Sequence, residues 1–146
     1  MQRSKLVGIN HVAIEVGDID EALAFYGSIF DLVLRGRSAQ MAFIDIGDQF
    51  IALSRGRTQA ADDHRHFGLV VDDRSATRAA LEAAGVAVLP GRGLDFRDPW
   101  GNLVQIVQYD EVQFLKADAV LQALGVEPRK TEQARAELRV KGIDAG

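Results

Sequence analysis

The strongest constraint on this chain is an internal repeat. A shift of 55 residues lays Asn10-His11-Val12-Ala13-Ile14-Glu15-Val16-Gly17-Asp18 on Arg65-His66-Phe67-Gly68-Leu69-Val70-Val71-Asp72-Asp73. His11 falls on His66, Ala13 on Gly68, Val16 on Val71 and Asp18 on Asp73. A unit recurring at fixed spacing is one supersecondary element built twice, so the fold must place two copies of a single module.

The match extends beyond each copy. Asp18 can cap a helix, with Glu21 three residues on, and Ile19, Ala22, Leu23, Tyr26, Ile29 and Phe30 recur at helical spacing. Asp73 stands in the same place before Thr77, Ala80, Leu81 and Ala84, and Gly85 suits a left-handed helix end. Three strands come next in each half, about 31–37, 40–46 and 49–54, then about 86–90, 93–97 and 102–109. Gly47-Asp48 and Asp98-Pro99-Trp100-Gly101 mark the last turn of each set. The fold class is therefore α+β, with two βαβββ modules at about 7–54 and 64–109, joined by a polar linker at 55–63. Residues 111–146 form a C-terminal helical extension outside this 1–110 unit.

Strand alternation then sorts side chains by face. Val12, Ile14 and Val16 make an apolar face for the first helix, and His11, Ala13 and Glu15 point the other way. Phe67, Leu69 and Val71 oppose His66, Gly68, Val70 and Asp72, and Val104 and Ile106 oppose Leu103, Gln105, Val107 and Tyr109. A sheet curled around the second face encloses a cavity, with room left by Ala13, Ala52 and Gly68 and with two repeat-related histidines looking in.

Composition excludes several classes. The 146 residues contain no cysteine, so disulfides, thiolate metal sites and cysteine nucleophiles are absent. A net charge of −4 without a basic block argues against nucleic acid. No apolar run reaches membrane-spanning length and no signal-like stretch succeeds Met1, which predicts a cytoplasmic protein without a membrane partner.

The stretches Asn10-His11-Val12-Ala13-Ile14 and Asp18-Ile19-Asp20-Glu21-Ala22-Leu23-Ala24-Phe25-Tyr26 resemble the opening of the vicinal-oxygen-chelate superfamily. That group holds glyoxalase I, fosfomycin and bleomycin resistance proteins and extradiol dioxygenases. Asp98-Pro99-Trp100-Gly101-Asn102-Leu103-Val104-Gln105-Ile106 is similar to its closing motif, and the resemblance spans about residues 7–109. It implies a U-shaped, barrel-like mixed sheet around a cavity and a divalent metal (Zn, Ni, Mn or Fe) held from the first, fourth, fifth and last strands. The matching positions are His11, Ala52, His66 and Gln105.

Two of these depart from the pattern. Alanine at 52 offers no ligand, and Gln105 stands where a glutamate is usual. Gln105 can ligate through its amide oxygen but brings no charge and does not titrate near neutral pH, so two imidazoles and an amide leave a dication uncompensated. The residues are compatible with two functions. One is a glyoxalase- or fosfomycin-resistance-like enzyme acting on a small oxygen-rich molecule through a metal on His11, His66 and Gln105; its reaction could be of lyase, isomerase, transferase or dioxygenase type. The other is a metal-free binder that sequesters a small molecule, as in bleomycin resistance.

Tyr109 and Asp45 could face the same cavity as acid or base, or be satisfied polar groups at its rim. His64 abuts the linker and reads as solvated, and Trp100 as packing in its turn. In the tail, Ala117, Val120, Leu121 and Leu124 form a stripe ended by Gly125, and Glu127-Pro128 opens a second helix. This extension serves as a lid or dimer clasp, or covers a sheet edge. Each module presents a curved sheet whose edges and concave face it cannot bury alone, which predicts a homodimer, and the resemblance implies modules paired within one chain or across two.

Overall fold

The computed structural model describes residues 1–146. The first module runs β1 (His11–Val16), α1 (Ile19–Ile29), β2 (Val33–Arg37), β3 (Met41–Asp45) and β4 (Phe50–Arg55). The second runs β5 (Phe67–Val71), α2 (Arg74–Ala83), β6 (Leu94–Arg97) and β7 (Leu103–Gln108). A 3-10 turn (Tyr109–Glu111), α3 (Asp118–Leu124) and α4 (Glu132–Val140) complete the chain. The repeat is literal at the helices. Asp18 accepts from the Glu21 N–H at 2.9 Å and Asp73 from the Ala76 N–H at 3.0 Å, so both helices begin at the same place in the repeat.

Each module forms its own sheet, a four-stranded one ordered β1-β4-β3-β2 and a three-stranded one ordered β5-β7-β6. β1 pairs parallel with β4, and β5 with β7, while the other pairings are antiparallel. The two sheets are separate and do not close into a barrel. The strand expected at 86–90 is also reduced to a single bridge, Val88 to Phe96. Pro90 has no N–H to donate, and Gly91 and Gly93 come after it, so pairing with β6 ends almost where it begins.

The alternation places the core as the sequence predicts. Ile14, Val16, Ile51 and Leu53 pack with Ile19, Ala22 and Tyr26 of α1, while Leu94, Phe96, Val104 and Ile106 pack with Leu81 of α2. The end of α1 joins the two cores, since Ile29 belongs to the second cluster and Phe25 and Phe30 border both.

The turn before β7 locks the modules together. The Asp98 carboxylate, 4% exposed, accepts from the Tyr26 hydroxyl at 2.8 Å, from Asn102 Nδ2 at 2.7 Å and from the N–H groups of Asn102 and Trp100 at 2.9 and 3.0 Å. Asn102 Nδ2 also donates to the Glu15 carbonyl at 2.9 Å. Trp100 fills the space over Gly17, where a Cβ would come within 2.3 Å of the indole nitrogen. The Asp-Pro-Trp-Gly turn is thus a module-docking device, and Trp100 has the packing role expected of it.

The tail runs from the end of β7 to the first module. Lys116 Nζ donates to the Ile46 carbonyl at 3.0 Å and pairs with Asp48, and Val120 and Leu124 lie over Gly47. Buried Lys130 reaches the carbonyls of Tyr109 and Val112 and lies 3.5 Å over the Tyr109 ring. The second helix of the tail starts later than the Glu127-Pro128 signal implies, because the Thr131 hydroxyl caps it by accepting from Ala134 N–H at 3.2 Å.

Candidate functional site

On the first sheet, the face turned away from α1 carries a row across three strands. His11 is paired with Phe50, and Phe50 with Asp45. The His11 imidazole stacks on the Phe50 ring at 4.7 Å and 8°. A bulge between Leu34 and Gly36 frees Arg35 from the ladder, and its guanidinium lies 4.7 Å from the centre of the same ring. Phe50 separates Asp45 from His11, so that carboxylate is not a direct partner of the imidazole.

On the second sheet, the equivalent row is Gly68, Gln105 and Asp95. His66 immediately precedes β5 and shares the phase of Gly68, one pleat along. Gln105 pairs with Gly68 as Ala52 pairs with Ala13, so the two positions are true repeat equivalents. Tyr109, a candidate cavity acid or base by strand alternation, is instead 5% exposed beneath the tail, edge-on to Phe114 and with its hydroxyl accepting from Lys116 N–H. The strand ends one residue earlier, and the 3-10 turn carries its ring out of the Gln105 row. His64 is exposed beside Asp63, as expected of a solvated residue.

Both imidazoles are oriented through Nδ1. His66 Nδ1 lies 2.8 Å from the His64 carbonyl, and His11 Nδ1 lies 2.9 Å from the Asn10 side-chain oxygen. A carbonyl only accepts, so it places the proton on Nδ1 and leaves the Nε2 lone pair free in the neutral ring. This is the arrangement in which histidine ligates a metal, with an oxygen holding its other nitrogen.

Glu15 lies four residues along β1 from His11, about 13 Å at ~3.3 Å per residue. Its carboxylate accepts from Gln59 at 3.2 Å, and Gln59 Oε1 accepts from Arg65 at 2.7 Å. With the Asn102 contact to the Glu15 carbonyl, this sets the segments that lead into β5 and β7 against the Glu15 end of β1. No group of three or more His, Cys, Asp or Glu side chains is gathered to hold a metal within the chain. Two surface hollows do not include these residues. One of about 390 Å³ lies between Asp18, Asp20, Arg37 and Arg55, and one of about 330 Å³ lies along α3. The first owes its shape to the Arg37–Asp20 ion pair, and neither has the histidine chemistry.

Sequence alternation pointed to His11, His66 and Gln105. It did not single out Asp95, Phe50, Arg35 or Asn10. Asp95 carried a signal, because it alternates with core residues Leu94 and Phe96 and so must share the face of Gln105. The Arg35 bulge had none.

Paired βαβββ modules, with repeat-related histidines on the faces away from the helices, define a class: glyoxalase-like two-module proteins. The profile of the Glyoxalase/Bleomycin resistance protein/Dioxygenase superfamily matches residues 8–106, and the chain belongs to this superfamily. Among curated proteins it is similar to Metallothiol transferase FosB of Bacillus licheniformis, 26% identical over 120 residues, covering 73% of this chain and 78% of that one. It is also similar to Glutathione transferase FosA of Serratia marcescens, 25% identical, covering 69% and 80%. The fold matches a fosfomycin resistance protein, FosX, from Listeria monocytogenes, with a TM-score of 0.63 at 20% identity over 71% of this chain and 92% of that one. A FosX variant solved with Mn(II) and 1S,2S-dihydroxypropylphosphonic acid matches with a TM-score of 0.61 at 20% identity, over 70% and 90%. No helix is long and apolar enough to cross a membrane.

Proposed function

We propose that this chain is a divalent-metal-dependent enzyme of the fosfomycin-resistance and glyoxalase kind, acting on a small, oxygen-rich, anionic molecule. The observation that carries this is the state of the two repeat-related imidazoles, each with Nδ1 engaged by an oxygen and Nε2 left for a ligand. The similarity to a metallothiol transferase and a glutathione transferase supports group transfer as the reaction type. His11, His66 and Gln105 are the proposed ligands. Because Asn102, immediately before β7, contacts the Glu15 end of β1 and not the His11 end, the proposed pocket forms between two chains of a homodimer, His11 from one and His66 with Gln105 from the other.

A divalent ion, when bound, polarises adjacent oxygens of a substrate and stabilises negative charge developing on them. The chain's own residues supply the rest. The Phe50 ring stacks on the His11 imidazole and carries the Arg35 guanidinium over it, which brings a positive charge close to that imidazole. That charge would draw an anionic substrate towards the imidazole. Gln105 binds and orients but does not move protons.

The test is elemental analysis of the purified protein, followed by titration of wild type and His66→Ala with nickel, zinc, manganese and iron(II). Tight uptake by wild type and its loss in His66→Ala is the expected result. Equal affinity in both removes His66 from the site. A wild type that takes up none of the four ions is a metal-free binder of the sequestering kind.

A further inference from the structure

The proposed donor set lacks an anion, and the structure offers one beside it. Asp95 is the register partner of Gln105 on β6, so the two side chains stand next to each other on the face that carries His66. Asp95 Oδ1 is shut off from solvent and has no hydrogen-bond partner. Buried carboxylate oxygens without a donor are rare in folded chains because they lose their hydration for nothing in return. Both side chains converge over Gly93, where a Cβ would lie 3.2 Å from Asp95 Oδ1 and 3.7 Å from Gln105 Nε2. The amide nitrogen, the donor end of Gln105, is its atom nearest that point. The absence of a side chain at position 93 keeps this space open.

We propose that Asp95 is a positioning residue for the metal site and supplies its missing negative charge. The Asp95 and Gln105 side chains are not hydrogen-bonded to each other in this structure; with an ion held, Oδ1 would accept the Gln105 Nε2–H, which would leave Gln105 Oε1 to the ion and make that oxygen a stronger donor. The arrangement is a carboxylate–amide counterpart of the carboxylate–histidine pairs that orient metal ligands elsewhere. It places one carboxylate's charge one residue behind the position where the superfamily resemblance leads one to expect a glutamate. Of the other carboxylates on the faces that carry the histidines, Asp45 is separated from His11 by the Phe50 ring, and Glu15 accepts from Gln59 at 3.2 Å. This inference rests on the proposed metal site of His11, His66 and Gln105.

The experiment moves the charge. Mn(II) affinity is measured by titration calorimetry for wild type, Asp95→Asn, His66→Ala and the double variant Asp95→Asn/Gln105→Glu, with thermal unfolding of each protein in chelator. Asp95→Asn should bind Mn(II) about 10- to 100-fold more weakly, the range seen when groups behind metal ligands are removed. The double variant should return to within about threefold of wild type, because the carboxylate has been shifted rather than lost. Asp95→Asn should unfold in chelator no earlier than wild type, since it removes the charge of a carboxylate whose buried oxygen has no hydrogen-bond partner.

Weak binding by Asp95→Asn with no recovery in the double variant makes Asp95 a residue of the fold and overturns the proposal. Wild-type affinity in Asp95→Asn, with loss in His66→Ala, overturns this inference while the metal site itself stands. Failure of wild type to bind Mn(II), or wild-type affinity in His66→Ala, removes both.

Discussion

Replacing Tyr26 with phenylalanine tests whether the Asp-Pro-Trp-Gly turn docks the modules. Tyr26 is 2% exposed, and its hydroxyl donates one of the four hydrogen bonds that Asp98 accepts. Hydrogen bonds to charged groups contribute about 1.5–3 kcal/mol. Three donors remain on the carboxylate in the variant, so it is not left bare, and the loss should fall near the lower end, about 1.5–2 kcal/mol. For a domain of this size that lowers Tm by roughly 4–8 °C. Urea unfolding followed by far-UV circular dichroism, with unchanged m-value, reads the difference. The effect also has a pH signature. Burial, reinforced by the neighbouring Asp98, pushes the Tyr26 phenol well above its ordinary value. The unfolded phenol loses its proton near pH 10 while the folded one keeps it, so the folded state binds more protons there and stability falls as pH rises. The advantage of wild type over Tyr26→Phe should be full below about pH 10 and shrink above it. A difference under about 0.5 kcal/mol at neutral pH, where a surface substitution would fall, would refute the docking argument.

Gly17→Ala would press a methyl into the Trp100 indole, with the Cβ 2.3 Å from Nε1. It should cost about 1–3 kcal/mol and shift the fluorescence of the single tryptophan, and an unchanged spectrum and stability would count against the contact. Burial lowers the Lys130 ammonium to about 8, against an unfolded value near 10.4. Between those values the unfolded state binds more protons, so wild-type stability should gain as pH rises from about 8 towards about 10. Lys130→Met should lack that gain, and the same shift in urea midpoint between about pH 7.5 and about pH 9.5 in both proteins would contradict it. Light scattering should give about twice the single-chain 15.9 kDa. Mixed His11→Ala and His66→Ala subunits should recover part of the metal binding that each homodimer lacks, through the one pocket that keeps both histidines. Absence of recovery despite subunit exchange would place each pocket within one chain.

The sequence alone determined what depends on local periodicity. The 55-residue offset put both aspartate caps and both helix starts in place, and alternation sorted Val12, Ile14 and Val16 from His11, Ala13 and Glu15. These result from the backbone's fixed repeats of about 3.6 and about 2 residues, which any short window displays. Tertiary structure decided what depends on partners far along the chain. Asp98 finds Tyr26 72 residues away, and Asn102 finds Glu15 87 residues away. Lys130 covers the Tyr109 ring that alternation had assigned to a cavity. Pro90 reduced an expected strand to a bridge, because the ladder needs a donor from the backbone and proline has none. The docking of the β7 start against the Glu15 end of β1 was equally hidden. A repeat specifies that two modules are alike; how they are docked, and so which chain completes a pocket, is set by the side chains between them.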